Sequence, residues 1–279
     1  MVFKKCKKRL IELKLAALTQ EVITLTKAVG HFIREESLRF TPDKIEYKGL
    51  NDLVSYVDKT AEKQLVAGLS AILPEAGFVT EEKTNQTTAE TYHWIIDPLD
   101  GTTNFIHGIP TFSVSIALQR NQDLVLGVVY EINRDECFYA WENGGAWLNG
   151  KAIQVSKAPK LANTLLATGF PYYDFKKKEP YLKVFQEVME KCHGLRRIGS
   201  AAVDLAYVAC GRFDGYFEYN LQTWDVAAGV VLVKEAGGEV LDFSGRANYL
   251  QEREVLATNG LITKELIQII DSHFNNKSI

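Results

Sequence analysis

An α+β amino-terminal part followed by an α/β carboxy-terminal part is the fold class that this chain predicts. Apolar residues recur at helical spacing as far as Ile72; the period then becomes that of short strands up to about Ser156, and strand-like and helix-like segments alternate beyond it. With 279 residues, 46% of them hydrophobic, the chain can bury a large core in one large or two smaller units. The division is expected at 156, giving parts 1–156 and 157–279 with no low-complexity linker between them.

Leu18, Val22, Leu25, Val29 and Phe32 lay one apolar stripe on a long opening helix. A second helix is expected from near Asp52 to Ile72, with Asp52 as N-cap, Val54, Val57, Ala61, Leu65 and Leu69 inward, and Pro74 ending it. Next come the β-branched and aromatic runs GFVTEE, TYHWIID, TFSVSIALQ, DLVLGVVYEI and ECFYAWE. Asn121, Asn133 and the cluster Asn143, Gly144, Gly145 supply turns between them, so an antiparallel sheet is expected. After Ser156 the order is LLATG, a helix near Pro180 to Cys192, LRRIG, a helix from Ser200, FDGYFEY, a helix from Thr223, GEVLDF, VLATN and a closing helix. That interleaving predicts a mixed sheet.

A net charge of −3 with 24% charged residues advertises no polyanionic partner, so no nucleic acid is expected. Cys6, Cys137, Cys192 and Cys210 form neither a C-x-x-C pair nor a disulfide framework, and reduced thiols are expected. No apolar run approaches the ~20 residues that span a bilayer. Glu12 and Lys14 interrupt any signal-peptide core behind the basic start Lys4 to Arg9, so a cytoplasmic address and no membrane partner are expected.

The chemistry concentrates at Trp94 to Phe105, W-I-I-D-P-L-D-G-T-T-N-F. An apolar strand runs into Asp97, Pro98 forbids its continuation in the ladder, and Gly101 opens a tight turn into a helix at the threonines. Hard cations such as Mg²⁺ take oxygen ligands, and Asp97, Asp100 and a freed Leu99 carbonyl supply three from four residues. The amides of Gly101 and Thr102 at the helix start suit a phosphate. Read alone, the two aspartates are capping residues, Glu81 a solvated loop acid, Asp225 an N-terminal helix acid, Asp58 an exposed helix acid and Lys48 an ordinary surface lysine.

Four blocks in order give the chain its resemblance to the inositol monophosphatase family of lithium-sensitive, Mg²⁺-dependent phosphatases. They are K-G-L-N-D-L-V-S-Y-V-D (Lys48 to Asp58), E-E (Glu81, Glu82), D-P-L-D-G-T-T-N-F (Asp97 to Phe105), and W-D-V-A-A-G (Trp224 to Gly229) followed by E-A-G-G (Glu235 to Gly238). The resemblance implies a layered αβαβα sandwich of the sugar-phosphatase type and two or three Mg²⁺ per subunit of a homodimer. It implies Glu81, Asp97, the Leu99 carbonyl, Asp100 and Asp225 as metal ligands, with Asp97 bridging two ions. Glu81 and Thr102 would position the attacking water, Asp58 would accept the Thr102 hydroxyl proton, and Lys48 would stand near a looser metal–water shell. Substrate would be contacted by Glu81, Leu99, Asp100, Gly101, Thr102, Gly199, Ser200, Ala201, Glu218 and Asp225. Read without the resemblance, Gly199 and Ser200 form a helix N-cap and Glu218 is a strand-end acid.

Arg196 and Arg197 can reach a second anionic group or end a solvated strand; the segment Phe170 to Glu179 is rich in lysine and aromatics and borders the site; and the loop Lys83 to Glu90 looks flexible enough for a lid. Gly145 to Lys151 resembles a P-loop but has Ala152 where Ser or Thr must bind Mg²⁺. With neither H-E-x-x-H nor G-x-S-x-G, zinc-hydrolase and serine-hydrolase chemistry has no motif here. The T-T-N-F ending favours inositol-1-phosphate as substrate over phosphoadenosine phosphate, whose hydrolases usually carry T-K after the glycine. A fructose-1,6-bisphosphatase or broad sugar phosphatase on the same scaffold is the alternative. A regulatory partner of the transcription machinery is a third possibility, from a different class.

Overall fold

Five layers stack as helices, sheet, helices, sheet, helices. The computed structural model describes residues 2–41, 45–49, 52–171 and 174–274, with side chains described for 14–41, 55–171 and 174–274.

Helix α1 (Val2–Ser37) buries a stripe of Leu15, Thr19, Val22, Thr26, Val29 and Ile33. The expected Leu18, Leu25 and Phe32 lie half-buried at its margin. Thr19 and Thr26 take their place inside because each hydroxyl donates to the carbonyl one turn back, at 2.7 Å. A hairpin of β1 (Ile45–Gly49) and β2 (Asp52–Ser55) then leads into α2 (Tyr56–Ile72). Asp52 is therefore in a strand, and Ser55 is the N-cap. Its Oγ accepts from the Val57 amide at 3.1 Å, while Asp58 Oδ2 accepts from the Ser55 amide at 2.9 Å.

The first sheet runs in chain order through β3 (Gly77–Thr80), β4 (Tyr92–Asp100), β5 (Ser113–Arg120), β6 (Asp123–Glu131), β7 (Glu136–Trp141), β8 (Ala146–Leu148) and β9 (Lys151–Ile153), with α3 (Thr102–Ile106) between β4 and β5. It is mixed rather than wholly antiparallel. β3 and β4 pair in parallel, because the loop at 81–91 carries the chain back along β3 before β4 begins. β4 also outlasts Pro98: its pairing with β5 breaks register after Asp97 and resumes at Asp100, so the proline sits in an irregularity of the ladder. The P-loop-like segment is the β8–β9 hairpin, turning at Asn149 and Gly150, both with positive φ.

The second sheet comprises β10 (Leu165–Thr168), β11 (Gly194–Arg196), β12 (Gly215–Tyr219), β13 (Glu239–Leu241) and β14 (Glu254–Thr258) in the order β11-β10-β12-β14-β13, with β10 parallel to its neighbours and β14 antiparallel to its own. Helices α4 (Lys178–Lys191) and α8 (Thr263–Phe274) cover its outer face, and α7 (Tyr249–Glu252) is a short turn before β14. Between the sheets lie α5 (Ala201–Ala209) and α6 (Thr223–Glu235), and α1 and α2 close the far side of the first sheet.

Strand alternation sends Trp94 and Ile96 into the core under α1 and α2, and Ile95 into the core shared with α5 and α6. Asp97 continues the face of Ile95, which aims it at the starts of α5 and α6. Gly127 in β6 sets how close α6 comes. A Cβ there would lie 2.5 Å from the Ala228 carbonyl oxygen, so any side chain would push α6, with Asp225 in its first turn, off the sheet. Cys137, Cys192 and Cys210 are free thiols, and among the described residues no helix is long and apolar enough to cross a membrane.

Candidate active site

One cleft, with about 910 Å³ of atom-free space, opens where β4 ends against the first turns of α5 and α6. Glu81, Asp97, Leu99, Asp100, Gly101, Thr102, Gly199, Ser200, Ala201, Glu218 and Asp225 all line it. Asp58 stands behind this wall. The Lys48 side chain falls outside the described residues, as do Tyr172 and Tyr173 of the 170–179 segment.

The turn from β4 into α3 is built by Gly101, whose φ of +94° favours glycine and where a Cβ would stand close, at 3.1 and 3.3 Å, to the Thr111 and Gly199 carbonyl oxygens. α3 is a helix of five residues, so its ordered amides matter more than any macrodipole. Thr102 Oγ1 lies 3.0 Å from Asp58 Oδ1 and 2.9 Å from the Leu99 carbonyl. One hydroxyl hydrogen is thus shared between two acceptors, which fixes the rotor and leaves the oxygen's lone pairs facing away from them. Asp58, 1% exposed, is held in turn by the Ser55 hydroxyl at 2.6 Å and the Ser55 amide. Burial raises its pKa, and those hydrogen bonds partly restore its acidity.

Asp100 is tied to the second half of the chain. Its Oδ2 accepts from the Ser200 hydroxyl at 2.6 Å and the Ala202 amide at 2.7 Å, so it serves as an anionic cap on α5. Ser200 Oγ also accepts from the Val203 amide at 3.3 Å, which makes it the N-cap of α5 as well. Asn104 staples the same junction: its Nδ2 donates to the carbonyls of Thr111 and Ile198, both at 2.8 Å. Asp225 closes a capping box on α6, with Oδ2 accepting from the Gln222 amide at 2.7 Å.

The acids press on one another. Asp97 is 2% exposed, and burial first, then the charges of Glu81, Asp100 and Asp225, lifts its pKa well above the carboxylate range. Burial raises Asp100 to about 6, against the Ser200 hydroxyl and the Ala202 amide. Asp225 rises to about 7 through burial and then the charge of Asp100. Glu218 reaches about 8 by burial, opposed by the hydrogen bond from the Tyr216 hydroxyl at 2.5 Å. Arg197 borders the cleft and favours the charged forms of Asp100 and Glu218, whereas Arg196 points out to solvent and donates to the Leu195 carbonyl.

Among the described residues no three His, Cys, Asp or Glu side chains converge on one point as a ready-made cage. The acids line the walls of the cleft instead. The donor set nevertheless fits Mg²⁺ chemically: it is all oxygen, and its mutual repulsion is what a divalent cation would relieve.

The loop after β3 is pinned rather than free to act as a lid. Buried Glu62 accepts from the amides of Glu82 and Thr84 and from the Thr84 hydroxyl, each at 2.7 Å. Glu62 is not among the residues expected at the site, because its sequence neighbours give it the look of a surface acid. Thr168, Gly169, Asp204 and Leu221, likewise not expected from the sequence, also line the cleft. Asp204 had a signal: it is the lone acid in the otherwise apolar run A-A-V-D-L-A-Y-V-A.

The family model of the inositol monophosphatase family matches residues 14–274. An inositol-1-monophosphatase from Mesorhizobium japonicum is 42% identical over 228 residues, covering 81% of this chain and 86% of that protein. A protein of Escherichia coli named Nus factor SuhB is 44% identical over 230 residues, again 81% of this chain and 86% of that one. Among solved structures, the extragenic suppressor protein suhB of Bartonella henselae superposes with a TM-score of 0.87 at 37% identity, covering 94% of this chain and all, 100%, of that one. The inositol monophosphatase of an Anabaena species gives 0.83 at 34% identity, covering 93% and 97%. Likeness across nearly the whole length, on a shared five-layer architecture, makes this chain a member of the inositol monophosphatase family.

Proposed function

We propose that this protein hydrolyses the phosphate monoester of a small polyol, with inositol-1-phosphate first among substrates, and that it uses Mg²⁺ to do so. One observation carries the reading: Glu81, Asp97, Asp100 and Asp225, from three separate regions of the chain, line a single cleft with Leu99 and Thr102. Two or three Mg²⁺ would be held by those four carboxylates and the Leu99 carbonyl, with Lys48 near the outer water shell. Bound there, the ions would polarise the phosphoryl group and acidify a water.

The chain's own groups do the rest. Thr102 Oγ1, its hydrogen committed to Asp58 and the Leu99 carbonyl, keeps lone pairs with which to accept a hydrogen from the attacking water. Glu81 takes that water's proton as its oxygen bonds to phosphorus and the ester P–O bond breaks. The leaving alkoxide takes a proton from solvent, which balances the step. The Gly101 and Thr102 amides receive phosphoryl oxygens. Hydroxyls of the polyol meet Asp100, Gly199, Ala201 and Glu218. Ser200 acts through Asp100, because its hydroxyl is already spent there.

Phosphate release from inositol-1-phosphate, fructose 1,6-bisphosphate, glycerol 2-phosphate and phosphoadenosine phosphate, with Mg²⁺ and with EDTA, tests this. The reading requires Mg²⁺-dependent release with inositol-1-phosphate leading, and no release from any of them would end it. Preference for fructose 1,6-bisphosphate would instead favour the sugar-phosphatase alternative. A second reading, a regulatory partner in transcription, is prompted by relatives named Nus factor SuhB. An Asp100→Asn variant that loses phosphate release yet keeps a copurifying partner would separate binding from catalysis. Homodimerisation and a cytoplasmic location belong to the same proposal, and light scattering on the purified chain tests the first.

A further inference from the structure

Arg253 sits in a backbone conformation that favours other residues. Its φ is +59°, in the left-handed region, and it caps the end of α7, where a helix turning this way usually carries glycine. Arginine there costs strain that glycine would avoid, so what its side chain contributes has to offset that strain.

The guanidinium reaches the turn between β12 and α6. Its Nε donates to the Leu221 carbonyl at 2.9 Å and its Nη2 to the Asn220 carbonyl at 3.1 Å, while the Arg253 carbonyl accepts from the Leu221 amide at 3.3 Å. Two successive carbonyls, just beyond the last register pair of β12 and β14 at Tyr219 and Glu254, are thus gripped by one planar fork. Asn220 is itself left-handed, with a φ of +66°, so the chain turns sharply where the fork holds it. The turn leads straight into the cleft. Leu221, 7% exposed, lines the cleft, and the Gln222 amide donates to Asp225 Oδ2 at 2.7 Å in the capping box of α6. Arg253 stands outside the cleft lining, yet its charge favours the carboxylate form of Asp225. A shift of residues 220–221 would therefore pass through Gln222 to Asp225.

We propose that Arg253 is a positioning residue for the hydrolytic site: its guanidinium fork locks the turn between β12 and α6 and so sets where Leu221 and Asp225 stand in the cleft. The inference rests on the phosphatase reading above and deepens it, because Arg253 acts on the site only through the residues that it holds. The fork is what matters. Lysine would keep the positive charge but could not hold both carbonyls in one plane.

The test compares the full chain with Arg253→Gly, which relaxes the backbone while it removes the fork, and with Arg253→Lys, which keeps the charge. Two quantities are read: hydrogen exchange at the Leu221 and Gln222 amides in EDTA, and the Kd for Mg²⁺ by titration calorimetry. In both variants exchange should accelerate at least about tenfold as the turn loosens, and the Kd should rise at least about tenfold, the scale of losing a group that orients a metal ligand from behind. An arginine that only braced the fold would leave Mg²⁺ binding by the folded variants unchanged. A smaller change in either quantity, in either variant, overturns the inference. If Arg253→Gly does not fold, Arg253→Lys alone is held to the same thresholds. Failure of the phosphatase reading is distinguishable: the unmodified chain would then bind no Mg²⁺ and release no phosphate, and the exchange result in EDTA would still uphold or overturn the clamp.

Discussion

The Ser200 hydroxyl donates to Asp100 Oδ2 at 2.6 Å and so joins residues 100 positions apart in the chain. The same Ser200 oxygen caps α5, so a single hydroxyl holds the helix start and the aspartate together. Ser200→Ala removes both interactions and leaves Asp100 with the amide donors alone. The expected cost is about 1–2 kcal/mol of stability by denaturant titration. Phosphate release should fall roughly tenfold from misplacement of Asp100, and Ser200→Thr should recover most of both.

Gly169 owes its importance to Glu218 rather than to its backbone. A Cβ at 169 would lie 1.8 Å from Glu218 Oε2 and 2.1 Å from its Cδ, so Gly169→Ala has to displace that carboxylate. Overpacking of this kind costs about 1–3 kcal/mol. The KM for inositol-1-phosphate should rise about tenfold, the scale of one or two lost substrate hydrogen bonds, with kcat changing less. Equal loss in kcat and KM would move the effect from substrate binding to the reacting centre.

Glu62 receives three donors from the loop that presents Glu81. Glu62→Ala leaves the Glu82 and Thr84 amides without their acceptor and should cost about 2–4 kcal/mol. Hydrogen exchange at 82–84 should accelerate, and the Mg²⁺ concentration for half-maximal rate should rise. Unaltered exchange there would mean that the loop is held by other contacts.

Protons and the proposed Mg²⁺ would compete for the same carboxylates. Asp100, Asp225 and Glu218 stand at about 6, about 7 and about 8, all raised chiefly by burial. In unfolded chains such acids titrate near 4. Between that value and the raised ones the folded protein binds more protons than the unfolded chain, so stability falls as pH rises through this window. In EDTA the melting temperature should therefore be lower at pH 8 than at pH 6. Added Mg²⁺ should raise it more at pH 8, and binding should release protons measurable in weakly buffered solution. An equal Mg²⁺ increment at both values would place the ions away from these acids.

Local patterns made much of this fold legible. Period and punctuation locate α4, α5, α6 and α8 and the strands of both sheets other than the short β8 and β9, because each sequence run carries its own burial pattern. Long-range pairing was less accessible. Nothing local in GFVT marks it as parallel to β4, since direction depends on how the loop at 81–91 travels. Ser55 does not stand out as N-cap in the sequence, because the apolar residues Leu53 and Val54 extend the helical pattern backwards into what is strand β2. At the cleft, the acids of the D-P-L-D-G-T-T string sit close in sequence and could be grouped by reading alone. Glu62 and Gly169 act through partners 20 or more residues away or through space that only the folded chain defines.

The proposed chemistry requires acids from distant regions of the chain to act as one centre. Asp225, carried on α6, reaches the cleft only through the packing of α6 on the first sheet, so Asp225→Asn is the most direct probe. Mg²⁺-dependent phosphate release from inositol-1-phosphate by this variant should fall by at least about a hundredfold, the scale of losing a group that stabilises charge in the transition state. Its melting temperature in EDTA should hold or rise, because one repelling charge has gone. A rate within a few-fold of the unmodified chain, at unchanged Mg²⁺ dependence, would contradict the account.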